Sequence, residues 1–307
     1  MTKPTMTRRE TVCLLSCASA GAWFGAGRKS LALSIAGNGR AVKDEPTPPL
    51  APGAPTSPER IALIDAFKKQ SEGLEKKFEA RTHKGDWVMP YRLFRPEATG
   101  KLPLVIYLHG SGGLGTDNLK QLGLGNTFGT RVWLLPENQK KHPCYVLAPQ
   151  TDRGWVRYDP AKVDKGVYEI VPGVGQGVGM VLEVLDEVRH EFPIDERRIY
   201  VMGQSMGGAG TWNMIASRPQ FFAAAVICCG SISKDDGTES IATPLWNFHG
   251  EADATVPVAI SRERIAARRK AGGRPLSTEY AGVDHNVWEW AFTEPELGNW
   301  LFAQSRS

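Results

Sequence analysis

The chain contains apolar segments in which consecutive residues, rather than alternate ones, are hydrophobic. Such segments are typical of parallel strands that other structure covers on both faces of a sheet. Segments with helical periodicity separate them, so the order predicts an α/β fold with a mostly parallel central sheet and helices on both faces. The expected parallel strands are 103–108, 145–148, 198–202, 223–229, 244–248 and 276–280, the expected helices include 178–192, 207–218 and 258–270, and 87–94 is expected as an antiparallel edge strand.

The first 36 residues have the pattern of an export signal. Arg8 and Arg9 precede an apolar stretch at 12–24, and together they resemble a twin-arginine signal. Small residues follow, so cleavage is expected after Ala32 or Ala36. The apolar stretch is too short and too rich in small residues to span a bilayer stably. We therefore expect the twin-arginine machinery to export the protein to the periplasm or the exterior of a bacterium, with no stable membrane span after the leader is removed.

A proline-rich segment separates this leader from the rest of the chain. Six prolines lie within 45–58, and such a composition cannot form a core, so 37–56 is predicted to be a linker. Ser57 and Pro58 then have the pattern of a helix N-cap followed by the first helical residue. One catalytic domain is therefore expected over 57–307.

Charge and cysteine content argue against two classes of protein. The formal net charge is +4, but residues 1–36 hold five basic residues and one acidic residue, so the remainder is formally neutral. That balance gives no support to nucleic-acid binding, which requires a basic patch on the folded part. Five cysteines are too few for a disulfide scaffold. Once the leader is removed, Cys144, Cys228 and Cys229 remain, and we interpret them as small buried hydrophobic residues.

Functional residues are expected directly after the parallel strands, since ligands bind at the carboxyl ends of such strands. Gly203-Gln204-Ser205-Met206-Gly207 follows one predicted strand and opens a predicted helix. This strand–turn–helix context is the one that the G-x-S-x-G nucleophile elbow requires, because the sharp turn exposes the serine oxygen above the sheet. Ser205 is therefore predicted to be a nucleophile.

A nucleophilic serine needs a histidine base and a carboxylate that orients the base. On an elbow of this kind the chain order is serine, acid, histidine. His285 follows the last predicted strand and satisfies that order, whereas His249 precedes every plausible loop carboxylate nearby. The loop after the 244–248 strand offers Glu251 or Asp253 as the acid. Asp284 adjoins the histidine, and its side chain should diverge from it.

An oxyanion hole requires two or more donors. The expected donors are the backbone N–H of Met206, directly after the nucleophile, and that of Ser111, with Gly112 as the neighbouring candidate. Trp155 and Trp288 are candidate walls of the substrate pocket. Only residues 230–243 separate two predicted strands after the elbow, so no large cap domain is expected there.

Two alternative chemistries have weaker patterns. Residues 110–115 match G-x-G-x-x-G after a strand, which is a dinucleotide-binding pattern, but Asp117 would oppose a pyrophosphate at the next helix. His249 and Asp253 could form a metal-ligand pair, but no third ligand lies at a suitable spacing. We therefore expect neither a cofactor nor a metal.

The motifs HGSGGLGTDN, GQSMGG, FHGEADATVP and GVDHNVWEW together resemble those of α/β-hydrolases. They most resemble bacterial predicted peptidases and carboxylesterases, a branch similar to dienelactone-hydrolase-like, polyhydroxybutyrate-depolymerase-like and feruloyl-esterase-like enzymes. The G-x-x-D-x-x-V-P pattern of that resemblance favours Asp253 over Glu251, which completes a triad of Ser205, Asp253 and His285. The resemblance implies hydrolysis of a small-molecule or polymer-attached carboxylic ester through an acyl-enzyme. A serine peptidase of the prolyl-oligopeptidase type would use the same residues and remains the alternative.

Overall fold

The protein is described from a computed structural model that covers residues 47–123, 128–163, 165, 169–233 and 241–307. The predicted export signal and residues 37–46 of the predicted linker lie outside these ranges, so export stays a prediction. Within the covered ranges, no helix combines the length and the apolar character that crossing a bilayer requires.

A large sheet forms the centre of the domain. Its described strands are β1 (Glu79–Lys84), β2 (Val88–Phe94), β3 (Leu102–Leu108), β4 (Tyr145–Pro149), β7 (Ile194–Gln204), β8 (Ala224–Cys228), β9 (Leu245–Gly250) and β10 (Leu276–Tyr280), and β5 (Arg157–Tyr158) pairs with β6 (Ile170–Val171) in a separate ribbon. The strand order is β1-β2-β4-β3-β7-β8-β9-β10. All pairings from β4 to β10 are parallel, and only those of β2 with β1 and β4 are antiparallel. The predicted α/β fold with a mostly parallel sheet is confirmed.

One detail at the sheet edge differs from the prediction. β2 is antiparallel as expected, but β1 lies outside it and forms the edge. The side chains of β1 are mostly polar, and only His83 among them is buried. The strand therefore lacks the apolar run that identifies the interior strands, and its charged residues suit an unpaired edge.

Helices flank the sheet. Those in the described ranges are α1 (Pro58–Gln70), α2 (Phe128–Arg131), α3 (Pro136–Lys141), α4 (Pro160–Val163), α5 (Gln176–Glu191), α6 (Met206–Ser217), α7 (Val258–Lys270), α8 (Trp288–Ala291) and α9 (Leu297–Ala303). Short 3-10 turns lie at Leu74–Lys77, Ser111–Gly113, Lys120–Leu122 and Val132–Leu134. At the start of α1, the Ser57 hydroxyl accepts a hydrogen bond from the Arg60 N–H at 3.3 Å, as its N-cap pattern predicts.

The core consists of two apolar layers, one on each face of the sheet. Consecutive strand residues such as Val105 and Ile106 belong to different layers, because neighbouring side chains on a strand point to opposite faces. One layer includes apolar residues of α5, α6 and α7, and the other includes those of α1, α8 and α9. This double covering explains why the central strands are apolar along their whole length.

The described end of the predicted linker is attached to the domain. The Trp290 indole donates to the Pro55 carbonyl at 2.8 Å, and the Ala51 N–H donates to Glu294 at 2.6 Å. Glu294 also forms a buried ion pair with Arg60 at 2.8 Å. Backbone groups in the last residues of the predicted 37–56 linker therefore have hydrogen-bond partners in the C-terminal part of the chain.

Candidate active site

Ser205 lies at the sharp turn between β7 and α6. Its backbone has φ 52° and ψ −119°, a strained conformation for a residue other than glycine. The glycines around it allow a close approach of the backbone segments. A Cβ atom at Gly207 would lie 1.9 Å from the Leu108 carbonyl oxygen, and one at Gly203 would lie 2.3 Å from the Gly207 oxygen. Only glycine fits at both positions, so the sequence pattern has a direct steric cause.

Two hydrogen bonds join the predicted triad residues in a line. His285 Nε2 lies 2.8 Å from Ser205 Oγ, and His285 Nδ1 lies 2.8 Å from Asp253 Oδ2. Because a carboxylate can only accept, Nδ1 carries the proton and Nε2 accepts from the serine hydroxyl. The histidine side chain is 21% exposed, whereas that of Asp253 is fully buried. The hydrogen bonds therefore run from the partly exposed Ser205 and His285 to the buried carboxylate of Asp253.

Asp253 is held as a carboxylate by its surroundings. Its Oδ1 accepts from the Thr255 N–H at 2.9 Å and from the Val256 N–H at 2.8 Å. Burial alone would raise its pKa, but hydrogen bonds from His249, His285 and the Val256 N–H hold the pKa well below its ordinary value. The side chain is thus charged and fixed in orientation at neutral pH.

The other carboxylates considered from the sequence occupy different positions. Glu251 is exposed to solvent. Asp284 is also exposed, and its Oδ1 accepts from the backbone N–H groups of His285 at 2.7 Å and Ala254 at 3.2 Å. Asp284 therefore contacts the backbone of the histidine loop rather than the imidazole.

His249 lies behind Asp253 in the interior. Its Nε2 is 2.8 Å from the Val256 carbonyl and 3.3 Å from Asp253 Oδ2, so this nitrogen carries the proton. Its Nδ1 lies 2.7 Å from Ser261 Oγ and accepts from that hydroxyl. The side chain is completely buried. His249 therefore braces the acid loop, a contact that the sequence order alone did not indicate.

The predicted oxyanion donors begin two adjacent helical turns. Met206 is the first residue of α6, and Ser111 is the first residue of a 3-10 turn after β3. N–H groups at the start of a helical turn have no partner inside that turn. The start of α6 packs on the end of β3, since a Cβ at Gly207 would lie 2.7 Å from the His109 oxygen. Free donors from both segments therefore lie at the same end of the sheet as Ser205.

Hydrogen bonds of His109 and Trp155 hold the loop that contains Ser111. The His109 Nε2 accepts from the Thr151 N–H at 3.2 Å, and its Nδ1 donates to the Gly110 carbonyl at 2.7 Å. Burial lowers the pKa of His109 to about 4, so the ring is neutral. The Trp155 indole donates to the His109 carbonyl at 2.9 Å and is 0% exposed. The prediction of Trp155 as a pocket wall was wrong, because its ring fills the core beneath the loop.

Trp288 lies beside the catalytic line. Its ring meets the His285 imidazole edge to face, with the centroids 5.6 Å apart. It is only partly buried and packs against the apolar layer that contains α8 and α9. Trp288 therefore limits the orientation of His285 and borders the open side of the site.

The glycine-rich loop at 110–115 lacks the helix that a dinucleotide fingerprint needs. Residues 111–123 contain two 3-10 turns instead. Asp117 Oδ1 accepts from the N–H groups of Leu119 and Lys120, at 2.8 and 2.9 Å, so the carboxylate occupies the position where a phosphate would bind. The loop is a structural part of the site and does not have the form of a nucleotide cradle.

Comparison with known proteins agrees with this geometry. A family model described as Phospholipase/Carboxylesterase matches residues 96–294, which include Ser111, Ser205, Asp253 and His285. No curated protein matches the chain.

Solved structures with a similar fold include a thermostable esterase that is 36% identical, with a TM-score of 0.68. The match covers 76% of this chain but only 64% of that esterase. A ferulic acid esterase from Anaeromyces mucronatus is 12% identical, with a TM-score of 0.55 over 74% of this chain and 90% of its own. An acylaminoacyl peptidase is 14% identical, with a TM-score of 0.51 over 75% of this chain and 42% of its own. The last two likenesses concern the fold alone, and the predicted α/β-hydrolase fold is confirmed.

Proposed function

Because the chain belongs to the phospholipase/carboxylesterase family of α/β-hydrolases, we propose that it is a serine hydrolase of carboxylic esters with Ser205 as its nucleophile. The observation that carries the proposal is the line of hydrogen bonds from Ser205 through His285 to Asp253. The charged Asp253 accepts from His285 Nδ1, which leaves Nε2 to accept from the Ser205 hydroxyl. The 36% identity to a solved esterase supports an ester as the substrate.

In the proposed first step, the Ser205 oxygen attacks the ester carbonyl carbon while its proton passes to His285 Nε2. The imidazolium that forms is stabilised by Asp253, which is already charged and already hydrogen-bonded to Nδ1. The carbonyl oxygen becomes negative, and the N–H groups of Met206 and Ser111 are its proposed donors. Collapse of this intermediate expels the alcohol, which takes the proton from Nε2.

In the second step, water attacks the acyl group on Ser205, with His285 again as the base. The acid leaves, and the serine recovers its proton. A neutral His109 supports this cycle indirectly, because it fixes the Ser111 loop without adding a charge near the developing oxyanion.

The chain between β8 and β9, residues 229–244, is too short to form a cap domain. An open site of this kind accommodates a bulky or polymer-attached ester, and Trp288 is the proposed contact for the bound group. The serine peptidase alternative uses the same atoms and differs in its leaving group, an amine rather than an alcohol. A paired assay with p-nitrophenyl acetate and a peptide p-nitroanilide separates the two functions, and we expect faster turnover of the ester.

Replacement of the nucleophile tests the proposal directly. Ser205→Ala should lower ester turnover by at least about a thousandfold, as deletion of a triad nucleophile does. Ser217→Ala is the matched control, because Ser217 lies at the other end of α6 and its hydroxyl only bonds the Asn213 carbonyl. Undiminished hydrolysis by Ser205→Ala would refute the proposal.

A further inference from the structure

Cys229 is a buried thiol beside the catalytic line that the proposed reaction does not use. It follows β8 directly, has a left-handed backbone with φ 43°, and is 0% exposed. Its Sγ lies 3.4 Å from the His285 carbonyl oxygen. Burial raises the thiol pKa well above its ordinary value, and the nearby Asp253 charge adds to this effect. The group is therefore a neutral thiol rather than a second nucleophile.

The thiol completes a set of three ligand atoms. The Cys229 sulfur, a carboxylate oxygen of Asp253 and a ring nitrogen of His285 lie within 4.8 Å of one another, and no other trio of this kind occurs in the described part of the chain. Thiolate, carboxylate and imidazole are the ligands that zinc takes in proteins, at about 2.0–2.3 Å. Ligand atoms around such an ion lie about 3.3–3.8 Å apart, so the 2.8 Å contact between Asp253 and His285 must widen by about half an ångström.

The charges in this cluster also favour a divalent cation. Asp253 supplies one buried negative charge, because its side chain is fully buried and its pKa lies well below the ordinary value. A divalent ion that displaces the thiol proton leaves one thiolate, one carboxylate and two positive charges, so the buried cluster becomes neutral. A thiolate ligand selects ions such as Zn²⁺ or Cd²⁺ over Mg²⁺ and Ca²⁺.

We propose that Cys229, Asp253 and His285 form an inhibitory site for a thiophilic divalent cation. The ion enters along His285, whose side chain is partly exposed, and binds Cys229 Sγ, Asp253 Oδ2 and His285 Nδ1. The thiol proton leaves to solvent, and the imidazole proton moves from Nδ1 to Nε2. A protonated Nε2 cannot accept the Ser205 proton, so the ion blocks turnover. This inhibition rests on the proposed function, whereas binding of the ion does not.

Inhibition of the full chain by CdCl₂ is the first measurement, with MgCl₂ at the same concentration as the comparison. We expect Cd²⁺ to inhibit ester hydrolysis and EDTA to restore it. The Cd²⁺ concentration for half inhibition should rise at least about tenfold in Cys229→Ser and in Cys229→Ala, each compared with its own metal-free rate. Cys144→Ser removes a buried thiol elsewhere and should keep the parental sensitivity. Equal inhibition of the parent and both Cys229 variants would overturn the proposal.

A spectroscopic readout separates the two proposals. Ser205→Ala keeps all three ligands, so Cd²⁺ should produce a thiolate charge-transfer band in the ultraviolet on this inactive variant. The band should keep its intensity with Cys144→Ser added and lose intensity with Cys229→Ser added, since Cys13 and Cys17 of the leader are present in both variants. Absence of the band from folded Ser205→Ala would refute the metal site even if Ser205 proves to be the nucleophile. A band that depends on Cys229 would support the site even if the esterase proposal fails.

Discussion

Asp253→Asn reverses one hydrogen bond while keeping the shape of the acid. The N–H groups of Thr255 and Val256 both donate to Oδ1, so the asparagine oxygen must occupy that position. Its NH₂ group then faces His285 Nδ1, which lies 2.8 Å from Oδ2 in the parent. The opposite amide orientation would leave the two backbone donors facing an NH₂ group. Each unsatisfied donor would lower the free energy of unfolding by about 1–3 kcal/mol.

The histidine must therefore change its tautomer in this variant. With Nδ1 accepting from the amide, the proton lies on Nε2, which faces the Ser205 oxygen and can no longer accept its proton. A triad whose histidine has the wrong tautomer loses about 10⁴-fold in kcat, which corresponds to about 5.5 kcal/mol in the activation barrier. The effect should appear in kcat, because the acid does not contact the substrate.

The assay is steady-state hydrolysis of p-nitrophenyl acetate by parent and variant, with circular dichroism to verify folding. Asp284→Asn is the matched control, because Asp284 is exposed and an asparagine oxygen can still accept from the His285 and Ala254 N–H groups. It should change kcat by about twofold at most, which corresponds to about 0.4 kcal/mol in the activation barrier. A folded Asp253→Asn enzyme that loses less than about tenfold, or 1.4 kcal/mol, would refute this role of the acid.

Two further predictions concern packing and pH. Gly207→Ala should abolish activity and lower the unfolding temperature, because the new Cβ would lie 1.9 Å from the Leu108 oxygen. Gly179→Ala is the control: no heavy atom lies near its new Cβ on α5, so it should stabilise the folded protein by about 0.5–1 kcal/mol. Similar unfolding temperatures for the two variants would contradict the steric argument. His83 hydrogen-bonds to Glu183 and Glu187 of α5. Burial lowers the pKa of His83, but the two glutamates outweigh burial and raise it above 6.5. The charged His83 therefore stabilises the fold fully below about pH 6.5, and this contribution is lost as the pH rises through the raised pKa. The unfolding temperature of the parent relative to His83→Gln should therefore fall from about pH 6 to pH 9, and a constant difference would contradict the assigned titration.

Much of this architecture could be predicted from the sequence because the relevant signals are local. Continuous apolar runs identify the buried parallel strands, and their helical spacers give the fold class. The Ser205 elbow is also recognisable locally, because Gly203, Ser205 and Gly207 lie within five consecutive residues, although the oxygen that excludes a larger residue at Gly207 belongs to Leu108 of β3. The order of serine, acid and histidine then restricts the remaining choices to two short loops.

The features that the sequence did not reveal depend on contacts between distant segments. The burial of Trp155 results from packing against α6, where a Cβ at Gly210 would lie 2.6 Å from its side chain. His249 lies near the end of β9 and Cys229 directly follows β8, so the pairing of these two strands brings both side chains to the Asp253 carboxylate. β1 is mostly polar because it forms the sheet edge, so the apolar pattern that identifies interior strands is absent from it.

Capture of the acyl-enzyme is the decisive test of Ser205 as the nucleophile. The parent is mixed with p-nitrophenyl acetate, quenched in acid during turnover, digested and mapped by peptide mass spectrometry. The peptide that contains Ser205 should gain the mass of the acyl group, and the corresponding peptide of Ser205→Ala should gain none. Turnover with the acyl group on another residue, or equal acylation of Ser205→Ala, would contradict this role of Ser205.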